Sequence, residues 1–277
     1  MPSATTVSQS AAQATALQDS LTRLHETQHR TANNLAMISY DPKLIGETPA
    51  RSATLKPIEL HSGESVWAVG LRADGKVQSR SATVASVDPV QFPLSRTLQF
   101  RDSNLETISL VNGPSDYDGV IVNKNGEVMA SWASFAYEAG REIAQENRGI
   151  PAELIVEMLT LVRDQRPLHS LEAELQPVPL SAASKLGLSP GWVKRIAQHS
   201  PERRQVLSIA RLVGGSPADR LLRSGDLILD IDGKIVNRFR EVERAVQKET
   251  VGVTVLRNGT EQAIDIPTVA LGGTAVG

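Results

Sequence analysis

Cysteine and histidine are the side chains that would form a thiol-based or zinc site in this chain, and serine with histidine would form a nucleophilic one. It has no cysteine, which excludes a disulfide framework, a thiol nucleophile and every cysteine-based metal centre. Its five histidines are scattered, and none falls at a zinc-ligand spacing with supporting carboxylates. They are His25, His29, His61, His169 and His199. The sequence therefore predicts no metal site and no cofactor.

The overall composition is that of a globular protein without a strong electrostatic field. Of 277 residues, 40% are hydrophobic and 22% are charged, and the net charge is −2. Such a charge does not recruit nucleic acid or an anionic membrane, so neither is expected as a partner. The longest apolar stretch, residues 154–162, is about half as long as a bilayer crossing, and the amino terminus lacks a secretory signal. We therefore expect a soluble intracellular chain.

Turn residues and apolar periodicity divide the chain into four parts. Residues 1–33 form a polar leader with one leucine stripe, which predicts a weak helix or a disordered segment. Short β-type runs separated by turns fill residues 34–165, which end in a helix with an apolar stripe over 154–162. A second unit with strands and helices extends over residues 166–267, and a tail follows over 268–277. The fold class is therefore mainly β with some α.

The second unit carries a series of turn motifs in a definite order. The motif GSPA at residues 215–218 begins a short helix, with Ser216 as its expected N-cap. The motif SGD at 224–226 precedes an apolar strand, and DG at 232–233 forms a tight turn. This series resembles the PDZ domain of HtrA-type proteases. The resemblance implies a groove between a strand edge and a helix, where an extended or C-terminal peptide of another protein adds as a strand.

The resemblance also places the carboxylate-binding loop and the pairing strand at the start of this unit, opposite a later helix. The implied peptide-binding residues are Leu168, His169, Ser170, Leu171, Glu172, Ala173, Phe239, Val242 and Val246. Ser170 stands where the family usually has glycine, which restricts how the loop amides turn toward a terminal carboxylate. His169 is expected to be a packing residue rather than a catalytic one.

The first unit resembles the trypsin-like protease that precedes the PDZ domain in the HtrA family. The hairpin GVIVNKNGEVM at 119–129 is similar to the strand pair after the catalytic serine. The runs YDPKLIGETP at 40–49, DGV at 118–120, WASF at 132–135 and GIP at 149–151 are similar to the degenerate second half of tandem HtrA-like proteases from fungal nuclei and plant chloroplasts. The resemblance implies a partial trypsin-like β-barrel followed by a PDZ-type α+β domain.

The same resemblance assigns catalytic positions to residues of the wrong chemistry. By register, the family serine falls on Tyr117 and the family aspartate on Asn34. A phenol cannot replace the nucleophile in that turn, and asparagine lacks the charge that stabilises an imidazolium. Asp116 and Asp118 would place negative charge where the transition state becomes negative. The segment before Asn34 is also too short for the first barrel, which supplies the histidine. We therefore expect a pseudoprotease without catalytic residues that acts by binding peptides or proteins.

Two alternatives stay open. The run GPSD at 113–116 resembles a protease GDSG loop, which would make the chain an active serine endopeptidase using Ser115. The chain is otherwise a structural or oligomerisation module of a larger HtrA-like assembly, as a homo-oligomer or with a partner protease half. The family implies protein quality control, and its fungal branch implies the nucleus and apoptosis; otherwise the cytoplasm is the expected compartment.

Overall fold

The structure is a computed structural model that describes residues 51–90, 104–139 and 142–271. Six antiparallel strands come first. They are β1 (Ser65–Leu71), β2 (Val77–Pro89), β3 (Glu106–Val111), β4 (Gly119–Val122), β5 (Val128–Ala139) and β6 (Glu142–Pro151). The sequence predicts β1 and β4 with these same bounds and places shorter strands within β2 and β3.

These six strands close into a barrel in the order β1-β2-β3-β6-β5-β4. Its longest hairpin is β5 and β6, which pair from Ala130 with Pro151 to Ala139 with Glu142. Buried apolar side chains form the core: Leu60, Val66, Ala82, Val84, Ile108, Ile121, Met129, Ala130 and Trp132. The predicted β-barrel is confirmed, and its six strands form a closed circuit.

Two glycines close the barrel where β1 meets β4. Gly70 and Gly119 are paired across this seam. A Cβ atom at Gly70 would lie 2.1 Å from the carbonyl oxygen of Asp118, and one at Gly119 would lie 2.1 Å from that of Val69. Both contacts are with backbone atoms of the paired strands, so only glycine lets the two strands approach this closely.

Helix α1 (Ala152–Arg163) follows β6 without a loop. The apolar stripe predicts it over 154–162, and the observed helix is longer at both ends. Ala152 is the residue of this helix that is buried, whereas Leu159 and Val162 are exposed. The helix ends at Asp164, before Pro167, as expected from the restriction that proline places on the preceding residue.

The second unit is built on an antiparallel sheet with the order β13-β12-β10-β9-β8, in which β11 pairs with β10. Its elements are β7 (Leu168–Ser170), β8 (Ala173–Pro179), α2 (Leu180–Lys185), α3 (Pro190–His199), β9 (Gln205–Leu212), α4 (Pro217–Leu221), β10 (Leu227–Ile231), β11 (Lys234–Ile235), α5 (Phe239–Ala245), β12 (Thr250–Arg257), β13 (Thr260–Pro267) and β14 (Val269–Leu271). Strands β7 and β14 pair with each other, and β8 is an outer strand of the larger sheet.

Two clusters of buried side chains hold this unit together. The larger one includes Phe239 and Val242 of α5 and packs them with Leu175 of β8. The other gathers α2 and α3 around Trp192 and Ile196. Each fully buried side chain of this size contributes about 1.5–3 kcal/mol relative to an exposed one, so α5 is fixed to the sheet by its apolar face.

The predicted turn motifs form the local structures that their residues favour. The hydroxyl of Ser216 caps α4 by accepting a hydrogen bond from the backbone N–H three residues later, at 3.1 Å. Asp232 and Gly233 have φ values of 51° and 75°, as the tight turn requires. Asp226 is 2% exposed and accepts two hydrogen bonds from Arg257, at 2.6 and 2.8 Å. The GD motif therefore anchors the start of β10 to the end of β12.

Candidate functional site

The loop before β4 contains the position that the resemblance assigns to a catalytic serine. Tyr117 stands there, 5% exposed, and its hydroxyl donates to the carbonyl oxygen of Ala68 at 3.1 Å. Burial raises the pKa of Tyr117, so its phenol stays protonated at neutral pH. Asn34, at the aspartate position, lies outside the described residues. A neutral, buried phenol that is bonded to the backbone is not placed as a nucleophile.

Ser115, the alternative nucleophile, is exposed and follows the buried Pro114. The loop is held by Trp132, whose Nε1 donates to the carbonyl oxygen of Pro114 at 3.0 Å. The same indole ring lies where a Cβ at Gly113 would be, 2.9 Å away. No hydrogen bond between Ser115 and a histidine occurs within residues 51–90, 104–139 and 142–271.

Three histidines lie in the described ranges, and none of them is placed as a base. His61 is exposed in the loop before β1, and the Nε2 of His199 is 2.9 Å from a carboxylate oxygen of Glu241. The Nδ1 of His169 is 2.8 Å from the hydroxyl of Thr268, which donates its own hydrogen to a backbone carbonyl. The imidazole therefore donates in this pair, and a nitrogen that donates cannot remove the proton of that hydroxyl.

The outer edge of β8 is where the resemblance places an added peptide strand. Asn104, in the segment before β3, already pairs with this edge. Its Nδ2 donates to the carbonyl oxygen of Ala173 and its Oδ1 accepts from the N–H of Leu175, both at 2.9 Å. Nδ2 also donates to a carboxylate oxygen of Glu243 on α5 at 2.9 Å. One side-chain amide therefore bridges the strand and the helix that border the predicted groove.

The predicted carboxylate-binding loop is also bonded within the protein. The Oε1 of Gln247 accepts from the backbone N–H of His169 at 3.1 Å, and its Nε2 donates to the carbonyl of the same residue at 2.9 Å. Glu172 has a φ of 58°, and its N–H donates to the hydroxyl of Ser170 at 3.0 Å. Two amides of this loop therefore already have protein acceptors, and β7, which begins at Leu168, is paired with β14.

The apolar residues predicted to line the groove lie in the core of the second unit. Phe239, Val242 and Val246 are each exposed by 2% or less. They belong to the same buried cluster as Leu171 and Ala173. In this structure they contact other core side chains.

Ion pairs connect the second unit with the barrel and with α1. Arg238 lies 2.5 Å from Glu59 and 3.4 Å from Glu106, and Arg240 of α5 lies 2.9 Å from Glu157 of α1. Glu106 is 5% exposed, and its burial raises its pKa although neighbouring arginines act to lower it. Several of these side chains line a cavity of about 20 Å³ that Asn104 also borders.

None of the sequence motifs predicts Asn104, Glu243 or Gln247 at this site. Asn104 belongs to no motif, and its partners in β8 and α5 are distant in sequence. Glu243 and Gln247 are four residues apart, a spacing that in a longer helix would place both side chains on one face, although α5 ends at Ala245. This spacing could have predicted a polar side of the groove, whereas no pattern in the sequence points to Asn104.

Comparisons with known proteins place the chain among HtrA-like sequences. No protein-family model matches it. It is 30% identical to Protease Do-like 7 of Arabidopsis thaliana over 270 residues, with 85% of this chain and 25% of that protein covered. It is 29% identical to a PDZ domain-containing protein of Schizosaccharomyces pombe over 252 residues, with 88% of this chain and 24% of that protein covered. This chain is a relative of the HtrA-like proteins of fungi and plants.

A further HtrA-like relative is the pro-apoptotic serine protease nma111 of Aspergillus clavatus, 27% identical over 249 residues, with 85% of this chain and 24% of that protein covered. The chain thus spans about a quarter of the curated relatives it matches. Among solved structures, it resembles the HtrA-type protease AlgW with a tripeptide, at 19% identity and a TM-score of 0.50 over 78% of this chain and 68% of that one. The predicted fold class is confirmed. In the part of the chain that the structure describes, no helix has the length and hydropathy to cross a membrane.

Proposed function

We propose that this HtrA-like chain is a peptide-binding module in which a PDZ-type unit takes an extended segment at the β8 edge. The proposal rests on the two hydrogen bonds that Asn104 makes with Ala173 and Leu175. Its side-chain amide bonds the same backbone carbonyl and N–H that an added strand would bond. The barrel acts as a pseudoprotease that supports this unit. Relatives named as serine proteases are much longer, and we assign cleavage to the part of such proteins that this chain does not span.

Hydrogen exchange of the full chain tests peptide binding. Extended peptides that bind should slow exchange of the β8 amides of residues 173–176, because an added strand protects its edge, whereas Pro177 and Pro179 have no amide hydrogen. The opposite edge strand, residues 260–267, is the internal control and should not change. We expect affinities on the order of micromolar, about −8 kcal/mol. A peptide library that protects neither edge, or both edges equally, contradicts the proposal.

Labelling with a fluorophosphonate probe tests the pseudoprotease part. We expect the full chain to remain unlabelled under conditions in which an active trypsin-like protease reacts, because Tyr117 occupies the nucleophile position and Ser115 has no described bond to a histidine. Labelling that disappears in the Ser115→Ala variant would establish the endopeptidase alternative instead.

A further inference from the structure

Asn104 uses its oxygen and both of its amide hydrogens at the β8 edge. Oδ1 accepts from the N–H of Leu175, and the two hydrogens of Nδ2 go to the carbonyl of Ala173 and to the carboxylate of Glu243, all at 2.9 Å. A side-chain amide has the same donor and acceptor as a backbone peptide group. Asn104 therefore occupies this edge in the way that part of an added strand would.

We propose that this groove selects an internal extended segment that presents a side-chain amide between β8 and α5, rather than a free carboxyl terminus. Asn104 is the resident occupant that such a segment displaces. The inference rests on the peptide-binding function proposed above and names the class of ligand and its competitor.

A carboxylate at the Asn104 position lacks the hydrogens that two of the three bonds require. It would leave the carbonyl of Ala173 without a donor, and it would face the carboxylate of Glu243, which repels it. In the predicted carboxylate-binding loop, the N–H of His169 already donates to Gln247 and that of Glu172 to Ser170. Gln247 also donates to the carbonyl of Glu243 at 2.8 Å, so an acid and an amide are held together on this side of the groove.

A ligand enters this site only when Asn104 leaves it. The cavity beside Asn104 is about 20 Å³, which is room for one water molecule and not for a side chain. Two residues later, Glu106 also contacts the PDZ-type unit, 3.4 Å from Arg238 and 3.5 Å from Arg203. Peptide binding therefore competes with a contact between the barrel and the PDZ-type unit.

Peptide binding to the full chain and to its Asn104→Ala variant tests the proposal. The probes are short, fluorescently labelled valine and threonine peptides with both ends capped, which carry either asparagine or aspartate at the centre. A third probe has a central alanine and a free carboxyl terminus. Binding is measured by fluorescence anisotropy. We expect the Asn104→Ala variant to bind the asparagine peptide about tenfold more tightly than the wild type does. We also expect this variant to bind the asparagine peptide about tenfold more tightly than it binds the aspartate or the free-acid peptide.

Two further variants serve as controls. Asn104→Asp should bind the peptides as Asn104→Ala does, because aspartate cannot donate to Ala173 or Glu243. Asn147→Ala should behave as the wild type, because the Nδ2 of Asn147 donates to Asp118 in another part of the barrel. Without any peptide, exchange of the Leu175 amide should be about tenfold faster in Asn104→Ala than in Asn147→Ala.

The outcomes separate this inference from the proposed function. If wild type and Asn104→Ala bind the asparagine peptide equally, or if the free-acid peptide binds best, the ligand class is wrong while peptide binding stands. If no peptide binds any of the folded proteins, the proposed function fails and this inference fails with it.

Discussion

Replacing Tyr117 with serine places a hydroxyl at the position that the family resemblance assigns to the nucleophile, in the loop before β4. The tyrosine is 5% exposed, and its hydroxyl bonds to the carbonyl of Ala68. Removal of a buried aromatic ring costs about 3–5 kcal/mol, and loss of one hydrogen bond adds about 1 kcal/mol. We therefore expect Tyr117→Ser to lower the free energy of unfolding by at least about 4 kcal/mol.

The matched variant Tyr117→Phe keeps the ring and removes only the hydroxyl, so its expected loss is about 1 kcal/mol. Urea unfolding of the three proteins measures both losses, and a fluorophosphonate probe measures any regained reactivity. We expect no labelling of Tyr117→Ser, because the described histidines are bonded or exposed elsewhere. Equal stabilities of the two variants would refute the buried-ring argument, and labelling of Tyr117→Ser would show that a base reaches this loop.

Two buried acids should respond in opposite directions to neutralisation. Glu106→Gln is expected to raise the free energy of unfolding at pH 7, because burial raises the pKa of Glu106, so its contribution to stability falls as the pH rises above the ordinary value of 4.5. The gain should shrink toward pH 4.5 in urea titrations, and a gain independent of pH contradicts this reasoning. Asp226→Asn should instead cost about 3–5 kcal/mol in thermal unfolding, because Arg257 loses its charged partner. Asp265→Asn, at an exposed position, is the control and should change stability by about 0.5 kcal/mol or less.

Local patterns predicted the strands that have their own apolar alternation or turn chemistry. Strands β1 and β4 were predicted to the residue, and the turn at Asn258 and Gly259 between β12 and β13 has the positive φ values that its sequence favours. Strand β6 was missed, because residues 142–149 are mostly polar and have no alternating pattern. Its place is set by backbone pairing with β5, which no local pattern encodes.

The PDZ resemblance predicts a peptide groove at the edge of β8, but no pattern in the sequence predicts Asn104 at that edge. The sequence predicts the pairing strand from Leu171, whereas β8 begins at Ala173, because Glu172 adopts a φ of 58° and interrupts the extended backbone. The predicted apolar lining, Phe239, Val242 and Val246, is buried in the core. Helical spacing identifies a buried face but does not say whether a ligand or a sheet covers it. Asn104 reaches the groove only through the fold of the barrel, so its role depends on tertiary structure.

The glycine pair at the junction of β1 and β4 separates two kinds of sequence change. Residues in the loop that carries Ser115 and Tyr117 can be substituted, although some substitutions lower stability. Any side chain at Gly70 or Gly119 would instead clash with the facing backbone and force β1 and β4 of the barrel apart. Relatives with and without proteolytic activity should therefore share this glycine pair while exposed positions of the loop, such as Ser115, diverge.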